Sequence, residues 1–500
     1  MDRLRIAFIT PEAVPFAKTG GLADISGVLP SILTNMGQEV RVLIPLYRQV
    51  REQFGQKLEK LSEFEIKVGD NGCRGGLHIL NQKRKGAEFL FIEQEDFYDR
   101  DGLYGDPTDG QDYPDNAERF IFFCRAAIKS LEKNDWQPDI IHLNDWQTAL
   151  VAPYIKIDQP EQSPLRKSRI IFTIHNLAYQ GQFDAKEFAK LGLPESYFAA
   201  AGPFEYWGKI NFMKAAIIFA DYITTVSPTY AREIISSNEF GMGLEGVLAG
   251  KSDRLSGILN GVDYSVWSPR ADRLIPFRYF PANLSGKKKN KLELVRRAGL
   301  PIRMDSPLFG MISRLDNQKG LDLIIEIFDQ MMSLDLQFIL LGTGDVKYMQ
   351  FFRQKQQEYP DKFKAYLEFD NQMAHLIEAG ADIFLMPSRY EPSGLNQMYS
   401  LKYGTVPLVR KTGGLADSVD DFDPDKKTGT GLVFEKYAPD ELLATISRGV
   451  QLFARKKFWY KLMKAGMAQD FSWEKAAVRY LELYRLLVEE NRGERAGKGV

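Results

Sequence analysis

Leu4-Arg5-Ile6-Ala7-Phe8-Ile9-Thr10, then Lys18-Thr19-Gly20-Gly21-Leu22-Ala23-Asp24 leading a run to Met36, then Val40-Arg41-Val42-Leu43-Ile44-Pro45: this opening stretch decides the fold. Its first and last parts are short apolar runs without helical spacing, the pattern of strands buried in a parallel sheet. Between them, from Leu22, apolar residues return at helical intervals and stop before Gly37. Strand, glycine turn, helix and strand make a βαβ unit with a right-handed crossover. Ligands of such sheets sit beyond the carboxyl ends of the strands, which is where Gly20 and Gly21 fall.

The glycine turn occurs twice. Lys411-Thr412-Gly413-Gly414-Leu415-Ala416-Asp417 repeats residues 18–24 letter for letter, which suggests two similar halves that each bring such a turn to a shared site. The second half supports this. Leu308–Arg314, Gln337–Gly342, Ile383–Pro387 and Val406–Val409 read as buried strands, and Leu321–Met332 as an amphipathic helix. The expected architecture is α/β, two Rossmann-like doubly wound domains facing across a cleft. Periodicity breaks after Trp267-Ser268-Pro269, so the domains are placed at 1–268 and 269–471. A C-terminal helix over 472–490 is expected to pack back on the first domain, and residues 491–500, poor in core residues, to fray.

Within the first half, alternating segments between about residues 60 and 100 predict an antiparallel insertion at the sheet edge. Phe97–Gly105, rich in aromatics, charges and glycine, reads equally as a functional loop or a solvated one. Asp139–Trp146 and Arg169–Asn176 are apolar runs that end in polar residues where a strand opens towards a ligand. His142 fits a satisfied core histidine, and His175, followed by Asn176 and a turn at Gly181, is the better site candidate. Tyr222–Val226 gives another strand, with Ser227 before a proline at a helix start. Residues 256–263 read as the last strand of this half, and Lys287-Lys288-Lys289 as a solvated helix start.

Composition narrows the function. The 500 residues call for two or three domains, and 44% hydrophobic with 26% charged residues is ordinary for a globular protein. With 65 basic against 66 acidic side chains the net charge is −1, so no global field recruits nucleic acid or an anionic membrane. Two cysteines, Cys73 and Cys124, make no disulfide framework, and no apolar run suits a leader or a bilayer span, so a cytoplasmic protein is expected. The four histidines show no metal-ligand spacing with the cysteines, so no metal is expected.

Two stretches carry chemistry. Ser313-Arg314-Leu315-Asp316-Asn317-Gln318-Lys319-Gly320 joins a strand to a helix, so Arg314 and Lys319 can serve an anion together with free N–H groups and the helix dipole. A cation about 4 Å from a phosphate charge contributes up to about 4 kcal/mol at an effective dielectric near 20. An ordinary capped surface loop would read the same. In Pro387-Ser388-Arg389-Tyr390-Glu391-Pro392-Ser393-Gly394-Leu395-Asn396-Gln397, Glu391 lies between two rigid neighbours and suits fixed hydrogen bonds to sugar hydroxyls. A helix-capping carboxylate is the alternative.

Taken together, KTGGLAD, HNLAYQG at 175–181, VSPTYAREI at 226–234, ILNGVDYSVWSP at 258–269, SRLDNQKGLD at 313–322 and SRYEPSGLNQMYSLKYGTVPLVRKTGGLAD at 388–417 resemble the signature set of bacterial glycogen synthases and plant starch synthases. The motifs stand in the family's order, and the resemblance runs from residue 4 to about 485. It implies a GT-B fold and metal-independent, cofactor-free transfer of glucose from ADP-glucose to the non-reducing end of an α-1,4-glucan, with retention. It implies that Lys18, with the backbone of Gly20 and Gly21, meets the distal phosphate and acceptor side, and that Arg314 and Lys319 hold the diphosphate. His175 would lie at the glucosyl C1 and O6, Glu391 would bind glucose hydroxyls, and Gly413 and Gly414 would offer main-chain N–H groups. Asp24, Tyr98 and Asp145 would sit near the acceptor or donor glucose, and Phe369 would stack on the base. Asn176, Ser393, Gly394, Leu395 and Thr412 complete the implied nucleotide-sugar contacts.

Three positions depart from the family pattern: Ser393 stands where many relatives have cysteine, Gln147 replaces the histidine after Asp145-Trp146, and Glu368-Phe369-Asp370 differs at the base pocket. The last leaves UDP-glucose open as the donor. Three other readings remain: a GT-B enzyme with a small acceptor, a phosphorylase that would need pyridoxal phosphate, and a non-catalytic glucan-binding protein. The last is disfavoured by the presence of Lys18, His175, Arg314, Lys319 and Glu391.

Overall fold

The computed structural model describes residues 3–81, 86–108, 110–133 and 136–497. They form two compact units, Met1–Val226 with Ala231–Ile258 and Trp473–Val500, and Ser227–Tyr230 with Leu259–Ser472. The division thus falls after Ile258, ten residues earlier than 268, because residues 259–268 pack with the second unit.

The first unit is built on a nine-stranded sheet. In chain order its strands are β1 (Arg5–Ile9), β2 (Glu39–Pro45), β3 (Leu58–Val68), β4 (Asn71–Leu80), β5 (Glu88–Glu93), β6 (Ile140–Asn144) and β7 (Arg169–Ile174). A small separate sheet holds β8 (Gln182–Asp184), β9 (Glu205–Tyr206) and β10 (Lys209–Asn211), after which β11 (Tyr222–Thr225) and β12 (Leu255–Gly257) rejoin the main one. The order β12-β11-β7-β6-β1-β2-β5-β4-β3 starts in the middle at β1 and proceeds outwards both ways. The chain therefore reverses direction between β1 and β6, the position at which open α/β sheets bind ligands.

Local sequence explains most of this. Arg5–Ile9 is buried from Ile6 onward, as a run of uninterrupted apolar residues requires. The helix Gly21–Asn35 buries Leu22, Ile25, Leu29 and Leu33, one face at helical spacing. In β3 the last five residues alternate buried and exposed, and β3 pairs antiparallel with β4 at the sheet edge. The expected insertion is only half antiparallel, because β5 lies parallel to β2 and belongs to the doubly wound core. The strand expected over 256–263 is confined to Leu255–Gly257.

The C-terminal helix Trp473–Gly497 belongs to the first unit, and its Tyr480 and Tyr484 rings pack beside His142. Within the described residues the helix continues to Gly497, and residues 498–500 of the expected frayed tail lie outside them. His142 is a satisfied core histidine, hydrogen-bonded through Nδ1 to the Tyr484 hydroxyl and through Nε2 to Thr173 Oγ1, each at 2.6 Å.

The second unit carries six strands, β13 (Leu308–Ile312), β14 (Gln337–Leu341), β15 (Phe363–Tyr366), β16 (Ile383–Met386), β17 (Val406–Arg410) and β18 (Leu432–Phe434). All pair in parallel in the order β15-β14-β13-β16-β17-β18, with the reversal between β13 and β16. Successive strand residues point to opposite faces. Phe309, Phe338, Ile383 and Leu408 accordingly join one apolar cluster with Ile324, Phe328 and Ile446. Their neighbours Leu308, Ile339, Phe384 and Val409 join another with Leu294, Leu376 and Ile377.

The Lys287–Lys289 run is not uniformly solvated. Lys288 and Lys289 are exposed, but Lys287 is buried. Its ammonium donates to Thr405 Oγ1 at 2.6 Å, and burial pushes its pKa down to about 7. One helix turn presents a different face at each successive residue, so a charge run does not define a single environment.

Candidate functional site

In the first unit the expected residues gather at the carboxyl ends of β1, β6 and β7, beside the β1/β6 reversal. The loop after β1 is organised by Glu12, which is almost fully buried. Its carboxylate accepts from Thr19 N and Thr19 Oγ1, both at 2.6 Å, from Gly20 N at 3.3 Å and from the Tyr104 hydroxyl at 2.7 Å. The amide of Gly20 is therefore directed inward. Lys18 Nζ and Asp24 form an ion pair at 2.7 Å on the exposed side of the turn. Thus Lys18, Gly20, Gly21 and Asp24 lie on one turn, and Glu12, which no motif singled out, holds that turn at Thr19 and Gly20.

Beyond β6 the backbone of Asp145 takes φ 57 and ψ 178. For a residue with a Cβ this costs about 1–3 kcal/mol and is retained where function or surrounding bonds require it. The bonds here are visible: Asp145 Oδ1 accepts from His175 N at 2.8 Å, and the Asn176 amide also donates to this carboxylate. Burial raises the Asp145 carboxyl to about 7, with the amide bonds opposing that rise. His175 follows β7, is 9% exposed, and is held at about pKa 3 by burial, so the ring is neutral at pH 7. Its Nε2 meets Asn144 Oδ1 at 3.0 Å, whereas Nδ1 is buried without a hydrogen-bond partner among the described residues. Asn176, the next residue, turns its Oδ1 back to accept from Ala178 N.

Tyr98 is a correction. Its side chain is completely buried and its hydroxyl donates to the Arg119 carbonyl at 2.8 Å, so it supports the 97–105 loop from within and offers no face to a sugar. An aromatic-rich loop is ambiguous because the same ring suits a sugar or a core. The Arg119 guanidinium beneath it, with donors on the carbonyls of Phe97 and Leu103, decided the matter.

In the second unit the loops after β13, β16 and β17 are knitted together beside the β13/β16 reversal. Arg389 N donates to Gln318 O at 2.8 Å, and Gln318 Nε2 donates to Tyr390 O at 3.3 Å. Gly320 takes φ 70, and a Cβ there would stand 2.0 Å from the Pro387 carbonyl. The resulting approach brings Lys319 Nζ to Glu391 Oε2 at 2.8 Å, where Ser388 Oγ also donates at 2.9 Å. Both partners are largely buried. An ammonium has three donors, so Lys319 retains hydrogens for a second acceptor. Arg314 is more exposed and lies 3.6 Å from Asp316. Phe369, just beyond β15, is 88% exposed and presents a free ring face for stacking.

The second glycine turn closes against this loop. Gly414 N donates to Glu391 O at 3.0 Å, so that amide is committed to the protein and is not the main-chain donor it was expected to be. Gly413 has φ 44 and its Cβ would fall 2.0 Å from Glu391 O. Thr412 is buried at the start of the short helix Gly413–Ser418. Ser393 Oγ accepts from Asn260 Nδ2 at 3.0 Å, Gly394 takes φ 64, and partly buried Leu395 precedes the helix Asn396–Tyr403. Asp417 accepts from Thr229 N at 2.9 Å and from the Ser227 and Thr229 hydroxyls, binding segment 227–230 to the second unit. Lys411 pairs with exposed Glu435.

Two doubly wound sheets, one wholly parallel and one parallel but for an antiparallel edge, each with its polar loops at a strand-order reversal, define a glycosyltransferase of the GT-B fold. Residues 5–250 match the family model of the starch synthase catalytic domain, and residues 295–452 that of glycosyl transferases group 1. The chain is 44% identical to the glycogen synthase of Koribacter versatilis over 96% of this chain and 98% of that one. It is 41% identical to the glycogen synthase of Thermotoga maritima over 96% and 98%. The catalytic domain of starch synthase IV from Arabidopsis thaliana, solved bound to ADP and acarbose, superposes with a TM-score of 0.88 at 34% identity, covering 98% of this chain and 100% of that one. Sucrose-phosphate synthase from Thermosynechococcus elongatus shares the fold, with a TM-score of 0.59 at 18% identity over 98% of this chain and 100% of that one. The chain belongs to the glycogen synthase and starch synthase family. Among the described residues no helix is long and apolar enough to cross a membrane.

Proposed function

We propose that this protein extends α-1,4-glucan chains by retaining transfer of glucose from ADP-glucose to the non-reducing end. The observation that carries the proposal is the full-length similarity to a starch synthase catalytic domain solved with ADP and acarbose. The presence of Lys18, His175, Arg314, Lys319 and Glu391 supports a catalytic rather than a glucan-binding role.

In this reading Lys319 and Arg314 bind the diphosphate and stabilise the charge that develops as it departs. Lys319 is held ready by Glu391, whose Oε2 already receives two donors. The carboxylate therefore orients sugar hydroxyls through its remaining acceptor capacity. Retention needs either two inversions through a carboxylate nucleophile or one front-face substitution. Glu391, tied to Lys319 and Ser388, favours the second: a short-lived oxocarbenium-like species, with the leaving phosphate taking the acceptor proton. Lys18 and Asp24 serve the acceptor side, Asp145 orders the His175 backbone, and Phe369 stacks on the base.

The test is incubation with glycogen and either ADP-glucose or UDP-glucose, with nucleoside diphosphate release and chain extension both measured. Extension with ADP-glucose, at a higher kcat/KM than with UDP-glucose, is expected. Extension with neither donor refutes the proposal, and a trapped glucosyl-Glu391 adduct refutes the front-face mechanism.

A further inference from the structure

We infer that Asn144 is a positioning residue that locks His175 in its Nε2–H tautomer, leaving Nδ1 as an acceptor reserved for a hydroxyl of the bound sugar. The tautomer follows from hydrogen-bond bookkeeping within the first unit; the role of Nδ1 rests on the glucosyl-transfer reading.

Asn144 ends β6 and is fully buried. Its side-chain amide lies between two groups, the Ile9 carbonyl at 3.0 Å and His175 Nε2 at 3.0 Å. A carbonyl oxygen only accepts, so the NH2 end of the amide must face Ile9 and the Oδ1 end must face His175. Oδ1 also only accepts, so Nε2 must carry hydrogen. Because burial keeps the ring neutral, that is its single N–H, and Nδ1 keeps its lone pair.

Among the described residues nothing uses the lone pair: Nδ1 is buried and has no partner there. A buried acceptor left without a hydrogen bond costs about 1–3 kcal/mol, so such a group calls for a partner that the free protein lacks. Its chemistry is restricted. An imidazole lone pair accepts from a hydroxyl but repels acceptor-only groups such as phosphate and carboxylate oxygens, so the position selects a hexosyl hydroxyl over an anionic substituent. Titratable neighbours leave this polarity in place. Asp145 engages the main-chain amide of His175, Glu12 acts on Asp145, and charge on His175 disfavours a proton on His142.

The protein's four histidines make 15N-histidine labelling practicable, with assignment through single substitutions of His78, His142 and His375. At pH 7 the free wild type should show a protonated Nε2 and an unprotonated Nδ1 for His175; a proton on Nδ1 overturns the inference. Asn144→Leu removes the acceptor and should give mixed tautomers with kcat/KM down about 10- to 100-fold, by analogy with the outer partners that orient metal-ligating histidines. Wild-type tautomer and kcat/KM in that variant would overturn it. Asn144→Asp keeps an acceptor while favouring imidazolium, which makes Nδ1 a donor. It should retain the tautomer and much of the activity at high pH, yet acquire an acidic limb in its pH profile that the wild type lacks. No such limb would count against Nδ1 as an acceptor. If Asn144→Leu does not fold, the wild-type spectrum and the Asn144→Asp profile still decide. If wild type extends no glucan, the functional proposal falls while the spectrum still judges the tautomer.

Discussion

Replacing Gly414 by alanine should damage the protein far more than replacing Gly20, although the two residues occupy neighbouring places in identical heptapeptides. A Cβ on Gly414 would lie 1.9 Å from the Ser393 carbonyl oxygen and 2.5 Å from its carbon, both main-chain atoms. Ordinary contact begins at 3.4 Å, so the two backbones must part by 3.4 − 1.9 = 1.5 Å. The 391–394 segment is in no position to yield, being held by the Gly414 N to Glu391 O bond, by Lys319 and by Asn260. Overpacking costs about 1–3 kcal/mol and the lost hydrogen bond about 1 kcal/mol more, so Gly414→Ala should lose about 2–4 kcal/mol. Around Gly20 a Cβ meets nothing within 4 Å among the described residues, and its φ of −152 is open to any residue. Only a weaker helix cap is lost there, about 1 kcal/mol or less. Urea unfolding followed by tryptophan fluorescence measures both. Because displacement of 391–394 moves the Glu391 carboxylate, kcat/KM of Gly414→Ala should fall as well. Equal losses in the two variants, or a Gly414→Ala protein as stable as wild type, would refute the reasoning.

Three further outcomes follow from the same geometry. Lys411→Ala breaks an exposed pair with Glu435 and should leave stability and turnover nearly unchanged, whereas Lys18→Ala should cripple turnover; steady-state kinetics of the two variants compare them. Lys319→Ala strands the Glu391 carboxylate in a largely buried site and should cost about 3–5 kcal/mol in urea unfolding, and Lys319→Met combined with Glu391→Gln should recover much of that stability without recovering activity. His142 is held at about pKa 3 against an ordinary value of 6.5, so the unfolded chain binds the proton first and this group's stability contribution, complete above pH 6.5, is lost as pH falls towards 3. At pH 5 the loss is about 2 kcal/mol, and the difference in stability between wild type and His142→Gln, followed from pH 7 to 5, should shrink by that amount.

The identical heptapeptides show where sequence reading ends. Residue pattern alone placed the first copy between a strand and a helix and the second after a strand, because burial of a short apolar run and the conformational freedom of glycine are local properties. It also identified His142 as a core residue and marked the loops around His175, Lys319 and Glu391 as polar ends of parallel strands. What each copy does depends on partners that lie outside it. The first is held from below by Glu12 and keeps a Lys18–Asp24 pair at the surface, while the second spends Gly414 N–H on Glu391 and Asp417 on segment 227–230. Tyr98, Lys287 and Asn144 teach the same lesson: aromatic, basic and amide side chains suit surface and interior alike, and only the packed neighbours choose between them. Family and fold were thus determined by the sequence itself, through periodicities and motifs that act within a few residues. The orientation of Asn144, the pairing of Lys319 with Glu391 and the burial of Tyr98 were decided by tertiary structure, because each is a contact between residues at least 21 positions apart in the chain and a hydrogen bond is defined by both its ends.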